Sequence, residues 1–393
     1  MAEFLHGVEV VEIDGGARPI RITKSNVIGL IGTAPDADAV AFPLNTPVLV
    51  AGSRTEAAKL DAVGDGNGTL PWAIDGIFDQ VGAAVVVVRV EAGADEDETI
   101  ANIIGGVDAE GAALGVQCFL EAEAVTGVSP RVLVAPGWTH QRPAEAANPV
   151  AAEMKGIADR LRAVMVIDGP NSNDAAALAV AGEQGGERVY LVDPWCKVSR
   201  GTQVVDEPSS ARVAGLIAKV DAEDGFWNSP SNRELNGIVG TSRPVDFRLG
   251  DANARANLLN AANVATIIRQ GGYRLWGNRT LSTDQKWAFL SVRRTADIIN
   301  DSLLRAHLWA VDRNITKTYV QEVQDGVNAF LRELQALGAI LGGRCWADPD
   351  LNTPESIADG KIYFNFDFTP PYPAEHIVFR SHLVGDYLEE VVQ

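Results

Sequence analysis

Hydrophobic and polar residues alternate without a break near the C-terminal end of the chain. Ile362, Phe364, Phe366 and Phe368 fall on one side of an extended backbone, and Lys361, Tyr363, Asn365 and Asp367 fall on the other. A period of two with aromatic enrichment predicts a half-buried antiparallel strand. Gly360 opens it and Pro370-Pro371 closes it. A strand predicted at about 339–346 supplies one partner. Both chain ends also read as extended. Val8, Val10, Val11 and Ile13, broken by Glu9 and Glu12, put apolar side chains on both faces, and Gly15-Gly16 follows as a joint. In the tail, Ile377, Phe379 and Leu383 lie on one side and Val378, Arg380 and His382 on the other, beyond a second joint at 370–373. A strand without a local partner is an edge, and edges recruit other chains.

Between these ends, 27–200 keeps an α/β rhythm. Apolar runs predict strands at 27–32, 47–50, 83–90, 131–135, 163–167 and 189–192. Helical patterns start at Ser53, a good N-cap, and cover 71–81, 99–105, 112–123, 144–161 and 172–181, with an acidic glycine-rich loop over 91–98. Alternating strands and helices imply a layered domain with a partly parallel sheet. The grammar changes from Pro208 onwards. Helices over 209–220 and 252–261 flank an irregular stretch at 225–248, and strands follow at 264–269 and 273–276. The stretch 287–309 reads as a short strand running into a helix. An amphipathic helix over 316–337 carries Val320, Val323, Val327, Phe330, Leu331, Leu334 and Leu337 on one stripe.

Length and composition narrow what such a chain does. At 393 residues, two or three domains are expected. With 33 basic against 52 acidic residues the net charge is −19, so nucleic acid is not an expected partner. Cys118, Cys196 and Cys345 are far apart and fit a reducing compartment, not a disulfide framework or a zinc site. The first residues lack the basic and apolar regions of a secretion signal. The longest apolar run, at 83–88, is too short to cross a membrane.

Catalytic motifs are missing: there is no G-x-x-x-x-G-K-[ST], G-x-S-x-G or H-E-x-x-H. Gly64-Asp-Gly-Asn-Gly68 reads as a surface turn, because no strand precedes it. Ligands of parallel sheets bind beyond the carboxyl ends of the strands. Asp168, Asp193 and His140, each after a predicted strand, therefore carry the alternative reading, a hydrolase-like or nucleotide-binding enzyme. Asp before Gly-Pro or Pro more simply caps a turn, and no nucleophile elbow accompanies these residues. The five histidines show no metal spacing, and no cofactor is implied.

Several collinear stretches resemble the tail sheath proteins of contractile phage tails. They include Asp168-Gly-Pro-Asn-Ser172, Gly225-Phe-Trp-Asn-Ser-Pro-Ser-Asn232 and Gly240-Thr-Ser-Arg-Pro-Val245. Others are Arg255-Ala-Asn-Leu-Leu-Asn260, Gly272-Tyr-Arg-Leu-Trp-Gly-Asn-Arg-Thr-Leu281, Trp309-Ala-Val-Asp-Arg313, Ala347-Asp-Pro-Asp-Leu-Asn352 and Pro373-Ala-Glu-His-Ile-Val-Phe379. The nearest subgroup is that of small temperate myophages and R-type bacteriocins. The resemblance covers essentially the whole chain and is strongest over 225–369.

This resemblance implies an α/β protein. An α+β inner domain comprises 198–369 and the N-terminal arm 1–24, with an inserted outer α/β domain at 25–197 and a C-terminal arm at 370–393. It implies a structural subunit, not an enzyme, that stacks with itself in six-subunit rings around a tail tube and contracts to drive the tube through a cell envelope. Val8, Val10, Val11 and Ile13 and Ile377, Phe379 and Leu383 are the implied exchanged strands, with Ile362, Phe364, Phe366 and Phe368 on the acceptor sheet. Lys317 and Arg332 are candidate contacts to the tube. The implied partners are the tube, baseplate and tail terminator proteins, with no nucleic acid and no membrane insertion. The implied location is the host cytoplasm and then the virion tail or a released bacteriocin particle.

Overall fold

A computed structural model describes residues 19–385. The arm residues Val8, Val10, Val11 and Ile13, and the Gly15-Gly16 joint, lie outside the described residues.

One large sheet organises the first two thirds of the chain. Its strands are β1 (Val27–Thr33), β2 (Pro47–Ala51), β3 (Ala84–Val90), β6 (Val132–Val134), β7 (Val164–Asp168), β8 (Val189–Val192), β12 (Val264–Arg269) and β13 (Tyr273–Trp276). Two short strands, β4 (Gly106–Val107) and β5 (Ala113–Leu114), pair only with each other. Across the large sheet the order is β13-β12-β8-β7-β6-β1-β3-β2. Adjacent strands from β12 to β3 run parallel, and β2 and β13 close the two edges antiparallel. Helices cover both faces, so β1 is buried at every residue and reads as a continuous apolar run.

On one face lie α2 (Leu70–Phe78) and α7 (Ser210–Glu223), which meet Ile28, Leu30, Val85 and Val87. The other face holds α3 (Glu96–Ile104), α5 (Pro149–Leu161) and α6 (Asp174–Gln184), which pack on Val27, Ile31, Val86 and Val88. Each such Leu, Ile or Val contributes about 1.5–3 kcal/mol by leaving water. The shorter helices α1 (Arg54–Ala57), α4 (Ala122–Thr126) and α8 (Arg255–Ala261) fill the rims. A small second sheet of β9 (Cys196–Arg200), β10 (Gln203–Glu207) and β11 (Gly240–Thr241) leads into α7.

A third core holds the last part of the chain. It is built by α9 (Leu290–Ala306), α10 (Lys317–Ala336) and the antiparallel pair β14 (Gly342–Ala347) and β15 (Phe364–Thr369), joined through α11 (Pro354–Ala358). Ile20 is buried in this core and Ile22 packs against it, although both stand some 280 residues earlier than α9. Thr23 N donates to Ser302 Oγ at 3.0 Å, and Arg294 Nη2 donates to the Ser25 carbonyl at 3.1 Å. Phe226 reaches the same core. Gly225 makes this possible: its φ is +100°, and a Cβ there would stand 2.4 Å from the Trp227 ring.

The α9 helix joins the layered body to this third core, and it does so with charge. Arg294 grips Asp221 at 2.6 and 2.5 Å, with both side chains buried. Asp297 takes Arg188 and Arg293, and Asp301 takes Arg131 and Arg305.

Several expectations need correction. The division at 197/198 does not bound the layered body. Val264 pairs with Leu191, so the apolar strand β12 extends the parallel sheet, and β13 follows it. No strand opens the stretch at 287; a single 3-10 turn (Gln285–Trp287) leads into α9. The helix expected at 112–123 breaks, because Gly115 takes φ +59° with no room for a Cβ, and it becomes a 3-10 turn followed by α4. The helix expected from 144 starts instead at Pro149, where Asn148 caps it by accepting from Ala151 N at 2.9 Å. Ile362 precedes β15 and is not part of it. Asn352 holds both the N–H and the carbonyl of Tyr363, so pairing starts at Phe364 opposite Ala347.

Candidate assembly interface

The α10 helix and the β14–β15 ladder beside it hold the candidate interface residues. Thr316 caps α10 by accepting from Tyr319 N at 3.2 Å, worth about 1 kcal/mol. Val323, Val327, Phe330, Leu331 and Leu334 are its buried stripe. β14 lies along this helix. Asn328 accepts from Cys345 N at 2.8 Å and donates to the Cys345 carbonyl at 3.0 Å. Cys345 stands opposite Phe366 in the ladder, and a side-chain amide that takes both of its main-chain groups does what a neighbouring strand would do. Asn328 therefore caps the outer edge of β14.

The outer edge of β15 has no such cap. Among the described residues no strand pairs with it. Phe364, Phe366 and Phe368 pack against the third core but stay only half-buried. A two-stranded ladder is marginal alone, and three or more strands are the stable unit.

The chain then runs to an exposed apolar tail. Ile377 is 67 % and Phe379 92 % exposed, Leu383 is fully exposed, and the segment forms no strand within its own chain. The expected joint at 370–373 is not loose. Pro370 is buried, the Tyr372 ring meets Phe289 edge-on at 6.0 Å, and Glu375 grips Arg279.

Lys317 and Arg332 are both exposed on α10 and make no ion pair among the described residues. Fifteen residues separate them, about 22 Å along the axis and about 60° around it. Of the polar face they belong to, Asn328 and Gln335 are already used within the chain.

Among the described residues, Asp168, Asp193 and His140 of the enzyme alternative are each taken up by contacts within the chain. Asp168 is fully buried and accepts from the Ser210 N–H at 2.8 Å and the Ser210 hydroxyl at 2.5 Å, so it caps α7 from a distance. Burial raises its pKa to about 7. Asp193 is buried with raised pKa for the same reason, and is held by Arg243 and the Asn171 N–H. Its side chain lies against Gly169, where a Cβ would come within 2.5 Å of it. The His140 ring meets Trp195 edge-on at 4.9 Å, and burial lowers its pKa. At the crevice between β1 and β6, where strand order reverses, Thr69 Oγ1 accepts from Thr33 N and Trp138 Nε1 at 3.1 and 3.2 Å. The chain's own side chains fill the place a ligand would take. The acids form turns and caps. The Asn328 cap and the Arg279–Glu375 pair were missed by sequence reading, because both depend on contacts between distant parts of the chain.

Comparison with known proteins gives three matched segments. Residues 26–90 match the profile described as tail sheath protein Gp18 domain III N-terminal region, 106–281 the phage tail sheath protein central domain, and 282–383 the phage tail sheath C-terminal domain. The boundary at 281/282 falls between the layered body and the third core. A chain described as a prophage major tail sheath protein, from Pseudomonas aeruginosa strain UCBPP-PA14, is 47 % identical over 392 residues, covering 99 % of both chains. The tail sheath protein of Escherichia phage P2 is 36 % identical over 100 % of this chain and 98 % of its own. Among solved structures, the helical sheath of the anti-feeding prophage in its contracted state superposes with TM-score 0.72 at 20 % identity, over 96 % of this chain and 98 % of that one. The contracted sheath complex of an extracellular contractile injection system gives 0.68 at 18 % identity, over 99 % of each. The chain belongs to the phage tail sheath protein family, whose members are structural proteins.

Proposed function

We propose that this chain is the repeating subunit of a contractile sheath. It polymerises with itself as stacked six-subunit rings around a tail tube, with a baseplate at one end and a terminator at the other. Contraction then drives the tube through a cell envelope. The third core with residues 19–24 forms the inner, tube-side unit, and the layered body lies outside. Assembly takes place in the producing cell's cytoplasm, and the product is a virion tail or a released bacteriocin particle.

The observation that carries this reading is the pairing of an uncapped edge on β15 with an exposed alternating tail. Subunits are linked by strand addition, and the accepting edge is that of β15, because Asn328 closes the edge of β14. Strand addition gives affinity through main-chain bonds, each worth about 0.5–1.5 kcal/mol net, and register through alternating side chains. The N-terminal arm, with Val8, Val10, Val11 and Ile13, is the second donor.

The test is a deletion. The full chain is expected to form tubes at raised concentration in electron micrographs. A chain ending at residue 375 should fold with unchanged thermal stability and remain monomeric. Normal tubes from the truncated chain would refute strand exchange. No ordered polymer from the full chain would refute self-assembly. For the tube contact, Lys317→Glu with Arg332→Glu should leave sheath polymers intact and weaken their binding to isolated tubes. Unchanged tube binding would remove these two residues from the interface.

A further inference from the structure

We infer that Arg279 and Glu375 form a positioning clasp that fixes where the C-terminal tail leaves the body. This inference rests on the proposed strand exchange. Arg279 follows β13 and is braced twice. Its backbone bridges to Phe289 at the start of α9, and its guanidinium lies 4.8 Å from the centre of the Phe289 ring. From there it donates to both oxygens of Glu375, Nε at 2.7 Å and Nη2 at 2.6 Å. The two-pronged geometry is directional, which a lysine in this place would not be. Tyr372 meets the same Phe289 edge-on at 6.0 Å. Glu375 lines a small recess with Asn260, Val264 and Gly277, at the start of β12.

The segment 370–375 therefore does not hang from β15. It crosses from the third core to the rim of the layered body and is fastened there. The free tail starts at His376. With the clasp closed, residues 376–385 reach at most about 36 Å. Released at Pro370, the tail would gain six residues, roughly 20 Å of reach, and lose its direction. A strand presented in one direction gives up less freedom when a second subunit captures it. The clasp also ties the tail's origin to the layered body, so a turn of that body swings the tail with it.

The test uses the full chain as a monomer at low concentration. The three native thiols are buried, so spin labels attach selectively to Asn257→Cys on α8 and Ala374→Cys. The interlabel distance distribution should be narrow with Arg279 and Glu375 in place. Arg279→Gln or Glu375→Gln should broaden it, and the swap Arg279→Glu with Glu375→Arg should narrow it again. Tube formation by the Gln variants should slow by about three- to tenfold, the range expected for losing one charge-assisted pair, and recover in the swap. A distribution that stays narrow in both Gln variants, or is not restored by the swap, overturns the clasp. Failure of the wild-type chain to form tubes would overturn the sheath reading instead and leave the distance result to stand alone. Thermal unfolding of each variant separates release of the tail from general loss of fold.

Discussion

Asp168 shows how a residue that looks chemical can be structural. It is a buried carboxylate with no ion pair among the described residues, held by the Ser210 amide and hydroxyl. Burial raises its pKa from 3.8 to about 7. A carboxylate with a raised folded-state pKa stabilises the fold fully below its unfolded pKa, and that contribution is lost as pH rises through about 7. Asp168→Asn keeps an acceptor for the Ser210 amide and carries no charge. Its stability relative to the native chain should therefore be near parity at pH 4 and rise to an advantage on the order of 3 kcal/mol by pH 8. Urea titrations at a series of pH values measure this, and a difference that does not change with pH would contradict it. The residue's position after a strand was legible in the sequence. Its partner was not, because Ser210 lies 42 positions away. The same holds for Asp193 and Arg243, 50 positions apart.

The elements were more legible than their ends. Strands with continuous or alternating apolar residues, such as β1, β3 and β15, stand where the pattern puts them, since burial on one face or two dictates composition. Ends depend on single side chains: Asn148 delays α5, and Asn352 delays β15 by holding Tyr363. The α9 helix is the element whose character sequence pattern hides most. Its first twelve residues are nearly all buried, yet arginines and aspartates are prominent among them. A helix with such composition reads as partly solvated until its partners on other elements are seen. Breaking a buried pair leaves an uncompensated charge. Arg294→Ala should therefore cost about 3–5 kcal/mol in chemical denaturation, while Arg294→Met with Asp221→Leu should recover most of it. A loss below 1 kcal/mol in the single variant would mean that α9 is held by its apolar residues alone.

At the scale of the whole molecule, sequence pattern did not give the extent of the layered sheet. The change of pattern from Pro208, and the resemblance that put the division at 197/198, placed the end of the layered body too early. The sheet instead resumes at β12, because a parallel strand needs only a long crossover and not sequence proximity. Charged pairs on α9 and the early segment with Ile20 and Ile22 help to tie the two bodies. The distribution of thiols completes the picture. Cys118, Cys196 and Cys345 are the chain's only cysteines, and all three are enclosed. Burial raises their pKa values, that of Cys118 to about 12 and those of Cys196 and Cys345 to about 11. The thiolate, which is the form that oxidises, is therefore both hidden and scarce. In the sheath proposed above, a particle that left a reducing cell would meet oxygen while its subunits still had to slide past one another. One exposed thiol per subunit, repeated along a helical array, would let air weld neighbours together and jam the stroke. With all three thiols inside, the proposed sheath could wait outdoors, loaded, without rusting shut.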